Sequence, residues 1–323
     1  MTGCIRFSFA LDGPEAGRDL TEPRAVEVLR EATLGWVHLD ADHPDSPDWI
    51  ARNLSYLDPA AREALTMTAT RARATRIGDG VLVILRGVNT NEGRDPEDMV
   101  SVRVWADAQR IVTLSRQKVR AIGEIAAAIR EGRGPSDAGG FLVALARHLN
   151  AGLEPLVAAL DTETDALELE VIGNPDRAMR QRIVAMRLQV IELYRHSAPQ
   201  VAALRDLEAS GVPILSEADL RHVSEIRQSL TRQTENLVEV RESLAVLREE
   251  LSSHVSDRLN RHMYVLSILS AVFLPLGFLT GLFGINLAGM PGADDPFAFW
   301  VFTGLLGVVF ALQVLVVRWM RWM

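Results

Sequence analysis

Three glutamates spaced seven residues apart, Glu235, Glu242 and Glu249, form a set of side chains that could do chemistry together. At about 100° per residue, a helix places them within about 20° of a line that also passes through Asn260. Five apolar residues fall on the opposite face: Leu237, Val240, Leu244, Leu247 and Leu251. A row of carboxylates concentrates cations, so the pattern predicts an acidic stripe along a cation path. An ordinary solvated coiled-coil face would have the same period, and that alternative stays open.

The same helical line continues into an uncharged segment of small, polar and apolar residues. Six of them lie within about 100° of the Asn260 line: Met263, Ser267, Ser270, Leu274, Gly277 and Gly281. Read as one arc with the glutamates, they predict the lining of a pore. The alternative is close helix packing, which small residues such as glycine also allow.

A turn and two acidic residues follow this segment. Gly284, Ile285 and Asn286 suit a sharp turn, and the carboxamide oxygen of Asn286 is a neutral ligand for a hard cation. Asp294 and Asp295 come eight and nine residues later and could attract cations over a longer range. We therefore expect a hydrated cation to be held near Gly284 and Asn286. Asn286 could instead only cap the end of the helix.

Another set of possible metal ligands lies near the start of the chain. His38, Asp40, Asp42 and His43 fall within six residues, and imidazole with carboxylate suits Zn²⁺. They also end a predicted strand and begin a turn, where Asp and His serve as turn formers. The sequence favours the structural role without deciding. It contains no phosphate-binding glycine loop, nucleophile elbow or catalytic triad pattern, so no enzyme activity and no cofactor are expected.

Two uncharged runs must position the candidate pore residues. Residues 263–283 and 297–317 contain no charged side chain, and 21 residues of helix span about 30 Å, the thickness of a hydrocarbon core. Buried core helices are the alternative. Arginines flank the outer ends of the pair, whereas the short connection between the runs has Asp294 and Asp295 but no basic residue. The positive-inside rule then predicts both termini in the cytoplasm.

The remaining residues predict an α+β domain, a mixed sheet flanked by helices. Five strands are expected at 5–11, 36–39, 80–88, 99–105 and 110–115, and short helices at 27–31, 47–54 and 59–66. Long helices follow at 137–172 and 176–210, and a third runs from Ser216 through the first uncharged run to Phe283 without a Gly or Pro before Pro275. At about 100 Å, this helix is too long for one chain to bury, so self-association is expected.

These patterns divide the chain into seven segments. We expect an α/β domain at 1–135, a helical hairpin at 136–215, a stalk helix at 216–262, a pore-lining span at 263–283, an external loop at 284–296, a second span at 297–317 and a basic tail at 318–323.

Charge and cysteine content exclude several classes of function. The 323 residues include 34 Lys and Arg against 42 Asp and Glu, for a net charge of −8, which argues against nucleic-acid binding. The single cysteine, Cys4, excludes a disulfide framework and any multi-cysteine metal site. The expected partners are copies of this chain, divalent metal ions and a lipid bilayer, with no small-molecule substrate.

The whole pattern resembles the CorA superfamily of divalent-cation channels. The resemblance rests on Pro275 in the first span, on Gly284-Ile285-Asn286 at its end, where that superfamily has Gly-Met-Asn, and on a second span with a basic tail. The stretches at 273–292, 36–40, 76–86, 102–116 and 137–143 are similar to the ZntB zinc-transporter branch. Members that transport Mg²⁺ usually continue with Met-Pro-Glu-Leu, whereas residues 289–292 read Gly-Met-Pro-Gly.

This resemblance implies a homopentamer in a bacterial inner membrane, with the first span around a central pore. It implies transport of a divalent cation, with Zn²⁺ favoured and Mg²⁺, Co²⁺ or Ni²⁺ as alternatives. A different class of function, a membrane-anchored sensor or scaffold, would also use two spans and a long helix. The connection between the spans is too short for a sensory domain, which favours transport.

Overall fold

The structure is a computed structural model that describes residues 3–31, 33–67, 71–173, 177–284, 292 and 295–320. The chain divides into two compact units, Met1–Arg248 and Glu249–Met323. The first contains a sheet and most of the helices, and the second contains the two long apolar helical segments.

The first unit is built on a six-stranded mixed sheet. In chain order its strands are β1 (Ile5–Ala10), β2 (Gly35–Asp40), β3 (Arg73–Ile77), β4 (Gly80–Gly87), β5 (Val100–Ala106) and β6 (Arg110–Ser115). The spatial order is β1-β2-β6-β5-β4-β3. Only β2 and β6 are parallel, with Val37 opposite Val112, and the other neighbouring strands are antiparallel.

Three short helices cover one face of the sheet. They are α1 (Glu22–Val28), α2 (Ser46–Asn53) and α3 (Pro59–Thr66). Their apolar residues form a buried cluster with Val37, Leu39, Val112 and Leu114 of the central parallel pair. Alternate residues of these strands point to the other face, where the ring of the fully buried Trp36 lies 4.8 Å from that of Phe141, centroid to centroid. Both faces are therefore covered, which explains why the central strands are almost wholly apolar.

Long helices complete the first unit. After α4 (Arg120–Arg130) come α5 (Ala138–Gly173), α6 (Arg177–Glu208) and α7 (Glu217–Phe283). The start of α7 is capped by Ser216, whose Oγ accepts a hydrogen bond from the backbone N–H of Asp219 at 3.2 Å. Residues 217–248 of α7 belong to the first unit and residues 249–283 to the second. The helix continues through Pro275 to Phe283.

The second unit consists of the rest of α7 and α8 (Ala298–Met320). These two helices contain stretches with mean hydropathies of 2.1 and 2.3, and none of either stretch is buried inside the chain. Within the unit they meet where the ring centroids of Phe283 and Phe302 are 4.7 Å apart. Apolar helices of this length that stay exposed need a lipid or protein environment around them.

The α+β class with a mixed sheet, a long helix and two apolar helices is confirmed, whereas some elements differ from the expectation. The five predicted strands are present, but the edge strand β3 was missed because its sequence, Arg-Ala-Thr-Arg-Ile, is mostly polar. The helix predicted at 27–31 is wrong in position, since α1 begins at Glu22 with a proline in its first turn. Helix α4 was not predicted. The division into seven segments stays a prediction.

Candidate cation-conduction surface

The acidic stripe lies on the exposed face of α7. Glu235, Glu242 and Glu249 are all exposed, and within the described residues none of them forms an ion pair. The five residues of the opposite face are buried, with exposures of 5% or less: Leu237, Val240, Leu244, Leu247 and Leu251. The predicted separation of an acidic face from an apolar face is therefore present in the folded chain. Three unpaired carboxylates on one line make a surface of negative potential that attracts cations.

Contacts from two neighbouring helices fix the rotation of the first-unit part of α7. The Arg227 Nε donates to Glu208 Oε2 of α6 at 2.9 Å, and the Arg241 guanidinium lies 5.6 Å from the ring centroid of Tyr194. On the side of α5, the amide of Asn150 donates to Ser229 Oγ at 3.2 Å. These contacts, together with the buried leucines, hold Glu235 and Glu242 away from the core of the unit.

The predicted pore residues of the second unit are exposed as well. Asn260, Met263, Leu274 and Gly277 all lie on the surface of α7, with Met263 65% and Leu274 73% exposed. A Cβ atom added at Gly277 would meet no atom within 4 Å. This face is therefore open in a single chain, so lipid or another copy of the chain must cover it, or it must line water.

The C-terminal end of α7 closes with backbone hydrogen bonds. The Gly284 N–H donates to the carbonyl of Thr280 at 2.9 Å and is 3.2 Å from that of Gly281. The Thr280 hydroxyl in turn donates to the carbonyl of Leu276 at 3.0 Å, inside the helix that contains Pro275. Ile285 and Asn286 lie outside the described residues, and so does Asp294. Their proposed contact with a cation stays a prediction.

Asp295 has a structural role that the sequence analysis missed. Its Oδ1 accepts a hydrogen bond from the backbone N–H of Phe297 at 2.9 Å, one residue before α8 begins. Aspartate followed by proline and an apolar run is a common start of a helix, and that pattern is visible in the sequence at Asp295, Pro296 and Phe297. The carboxylate is still exposed, so capping leaves its charge available to solvent.

The histidine and aspartate residues at the end of β2 have partners inside the protein. His38 is fully buried, with Nδ1 2.9 Å from Thr113 Oγ1 and Nε2 3.3 Å from Ser115 Oγ. Burial, followed by the nearby Arg6 charge, lowers the pKa of His38 to about 3. Asp40 binds Arg6 at 2.9 Å and Asp42 binds Arg116 at 2.6 Å. The described residues contain no group of three or more ligands placed to hold a metal, which favours the structural role of these side chains.

The chain combines a mixed α/β unit with two exposed apolar helices, and an acidic stripe runs along the helix that the two units share. These features define a class of membrane protein with a large non-membrane part. Residues 31–320 match the protein family described as CorA-like Mg²⁺ transporter protein. The chain belongs to the CorA superfamily and falls in its ZntB-like branch. This membership confirms the resemblance seen in the sequence and the expectation that the chain is not an enzyme.

Relatives match over nearly the whole chain. The divalent cation transporter CmaX of Pseudomonas aeruginosa is 35% identical, over 98% of this chain and 96% of its own. The zinc transport protein ZntB of Yersinia enterocolitica is 36% identical, over 97% of this chain and 93% of its own. A solved structure of full-length CmaX superposes with a TM-score of 0.85 at 34% identity and covers 100% of both chains.

Proposed function

We propose that this protein transports divalent metal cations across a membrane, with Zn²⁺ as the main substrate. The observation that carries the proposal is the line of exposed, unpaired carboxylates on the same helix that continues as an uncharged span. Such a line raises the local concentration of cations. A span without charged side chains does not bind the cations so tightly that they are held in the pore. The names of the relatives, a divalent cation transporter and a zinc transport protein, support the same substrate class.

The pore itself requires several copies of the chain. We propose a homopentamer in which residues 263–283 surround the axis and residues 297–317 lie outside them. The exposed faces of both helices then meet other copies or lipid instead of water. We place the protein in a bacterial inner membrane with both termini in the cytoplasm, because basic residues flank the pair of spans and are absent between them.

The outer mouth is proposed as the filter. A ring of Asn286 carboxamides, with backbone carbonyls near Gly284 and Ile285, would hold a largely hydrated cation, because stripping water from a divalent ion is costly. Asp294 and Asp295 would attract cations to this mouth over a longer distance. Asn260, Met263, Leu274 and Gly277 would line the path, and Glu235, Glu242 and Glu249 its inner entrance.

Selectivity for Mg²⁺, Co²⁺ or Ni²⁺ is the second candidate. The description of the matching family names Mg²⁺, and this is the observation that favours it. Against Mg²⁺ stands the loop at 289–292, which reads Gly-Met-Pro-Gly and has no acidic residue.

Flux into vesicles tests the proposal directly. The purified protein is reconstituted, and uptake of Zn²⁺, Co²⁺, Ni²⁺ and Mg²⁺ is followed with a trapped fluorescent indicator, with and without a proton gradient. We expect Zn²⁺ uptake to exceed that of the other ions. If Mg²⁺ is taken up faster than Zn²⁺, the second candidate is correct and Zn²⁺ is not the main substrate. If none of the four ions is taken up faster than in empty vesicles, the transport proposal is refuted.

The filter is tested with Asn286→Ala in the same vesicles. We expect Zn²⁺ uptake to fall to near background while the oligomer and its melting temperature stay normal. Normal uptake in a normally assembled variant would remove Asn286 from the filter. Loss of assembly would mean that Asn286 only caps the helix.

A further inference from the structure

A basic cavity of about 230 Å³ lies in the first unit. Three arginines and a histidine dominate its walls, which consist of Arg71, Ala72, Arg86, Arg195, His196 and Pro199. None of these lining residues is acidic, although the whole chain has a net charge of −8. A concentration of positive charge in an acidic protein needs a reason.

The fold brings these cations together at one end of the sheet. In the antiparallel pair of β3 and β4, Arg73 is opposite Ile84, so the same register continued by two residues places Arg71 beside Arg86. In the described residues on the N-terminal side of Arg73 the pairing of β3 with β4 has ended, and the backbone N–H of Arg86 donates to Gln200 Oε1 of α6 at 2.6 Å. This bond fixes α6 against the end of β4, and Arg195 and His196 lie about one turn before Gln200.

A further arginine lies behind the cavity wall. Arg103 of β5 is fully buried, and its register with Ile84 makes it a diagonal neighbour of Arg86 on the same face of the sheet. Its Nη2 donates to the carbonyl of Met67 at 2.6 Å, but its Nε and Nη1 have no hydrogen-bond partner among the residues that the structure describes. Burial and then the charges of Arg116 and Arg86 lower the pKa of Arg103. A buried guanidinium with two unsatisfied donors is costly unless a negative charge compensates it.

The acidic groups close to this cluster do not neutralise it. Glu192 contacts Arg195 at 2.8 Å and is 3.9 Å from His196 Nε2, so it offsets about one charge at the exposed rim. Asp42 is paired with Arg116. Burial, and then the charge of Arg86, lowers the pKa of His196, which leaves the imidazole neutral and able to donate one hydrogen bond. An excess of positive charge therefore faces the cavity.

We propose that this cavity binds a phosphate group, either as inorganic phosphate or as part of a small phosphorylated metabolite. Guanidinium groups match the oxygens of phosphate with paired hydrogen bonds, and a neutral imidazole can supply another donor. The volume suits one phosphate group, with any larger remainder of the ligand outside the rim formed by the exposed Arg71 and Arg195. The bound anion would compensate the charge of Arg71 in the wall and, behind the wall, of Arg103. The site does not depend on the proposed transport of metal.

Binding is measured on the full-length protein in detergent, in metal-free buffer. Inorganic phosphate and adenosine monophosphate are titrated separately by calorimetry, with sodium chloride at equal ionic strength as the reference. We expect saturable binding of at least one of the two probes. Binding of phosphate alone identifies the free anion, binding of the nucleotide alone identifies a phosphorylated metabolite, and binding of both identifies the phosphate group as the recognised part.

A pair of double variants tests whether the cavity is the site. Arg71→Gln with Arg195→Gln removes two exposed cations of the rim, and we expect the affinity to fall about tenfold or more. Arg180→Gln with Arg205→Gln removes two exposed arginines of α6 outside the cavity, and this control should change the affinity less than about twofold. Equal affinity in the two double variants, or no saturable binding of either probe to the unmodified protein, would overturn the proposal.

Discussion

At the scale of single residues, His38 shows how burial determines the charge of a side chain. Both ring nitrogens have hydroxyl partners, at 2.9 Å from Thr113 and 3.3 Å from Ser115, and the residue is only 2% exposed. Its pKa of about 3 in the folded protein lies well below the value of about 6.5 of an exposed histidine. The folded chain therefore keeps His38 neutral at pH values where the unfolded chain would bind a proton.

This difference predicts a loss of stability in mild acid. Below pH 6.5 only the unfolded state takes up the proton, so the contribution of His38 is complete above pH 6.5 and decreases as the pH falls towards 3. Between pH 6.5 and 5 the unfolding free energy should decrease by about 2 kcal/mol from this group. Thermal melts of the full chain and of His38→Gln measure it, and the variant should be less stable but less sensitive to pH. The exposed His148→Gln is the control, and equal pH slopes in all three proteins would contradict the prediction.

Asp295 combines a helix cap with a charge near the proposed mouth, and two substitutions separate these roles. Asparagine can also accept the hydrogen bond from Phe297, so Asp295→Asn should keep the stability of α8 and lose only the charge. Asp295→Ala should lose both, at a cost of about 1 kcal/mol. We expect Asp295→Asn, combined with Asp294→Asn, to lower metal uptake mainly at low ionic strength, because salt screens such attraction within about 8–10 Å. If the variant and the unmodified protein take up metal equally at low salt, Asp295 acts only as a helix cap.

At the scale of elements, the helix α7 was the most predictable part of the chain. Its start beside Ser216, its end at Phe283 and the burial of its leucine face all follow from sequence periodicity and from the absence of Gly and Pro over most of its length. The edge strand β3 could not be predicted, since its pairing with β4 comes from the tertiary structure and not from apolar alternation. Whether Glu235, Glu242 and Glu249 face a central axis depends on the proposed assembly, which one sequence does not reveal.

The acidic stripe predicts a specific effect of charge removal. We expect Glu235→Gln, Glu242→Gln and Glu249→Gln together to weaken divalent-cation binding and to reduce uptake at low salt, because each position repeats around the proposed ring. The matched control is a second row of exposed acids with the same spacing of seven on α5, replaced as Glu154→Gln, Asp161→Asn and Glu168→Gln. If both triple variants behave alike, the stripe is an ordinary solvated face.

The junction of α5 with the start of α7 depends on one glycine. A Cβ added at Gly139 would collide with the carbonyl oxygen of Ile214 and come within 2.6 Å of Asp219 Oδ2, whereas one at the neighbouring Gly140 would stay at least 3.4 Å from the atoms around it. We expect Gly139→Ala to destabilise the first unit by about 1–3 kcal/mol and Gly140→Ala to change its stability by much less. Thermal unfolding of the two variants checks this. Equal melting temperatures would show that the junction can relax around the added methyl group.

At the scale of the whole molecule, the exposed apolar surface of the second unit requires partners. Large side chains such as Phe273, Leu274 and Trp300 are between 66% and 73% exposed in the single chain. We therefore expect a closed ring in detergent, and the superfamily resemblance predicts five subunits. Native mass spectrometry measures the number. A stable monomer or dimer would contradict both the ring and the proposed central pore.

The division of the chain at Arg248 also bears on how the protein is made. All strands of the sheet and helices α1 to α6 precede residue 249, so the first unit leaves the ribosome before the apolar segments do. At about 5–20 residues per second, synthesis of the second unit, Glu249–Met323, takes about 4–15 s, time in which the first unit can begin to fold. A folded α/β unit of this size stays on the side of the membrane where it was synthesised. In the proposed orientation, the order of synthesis would act together with the flanking arginines to orient the two spans, and only the short connection between the spans would have to cross the membrane.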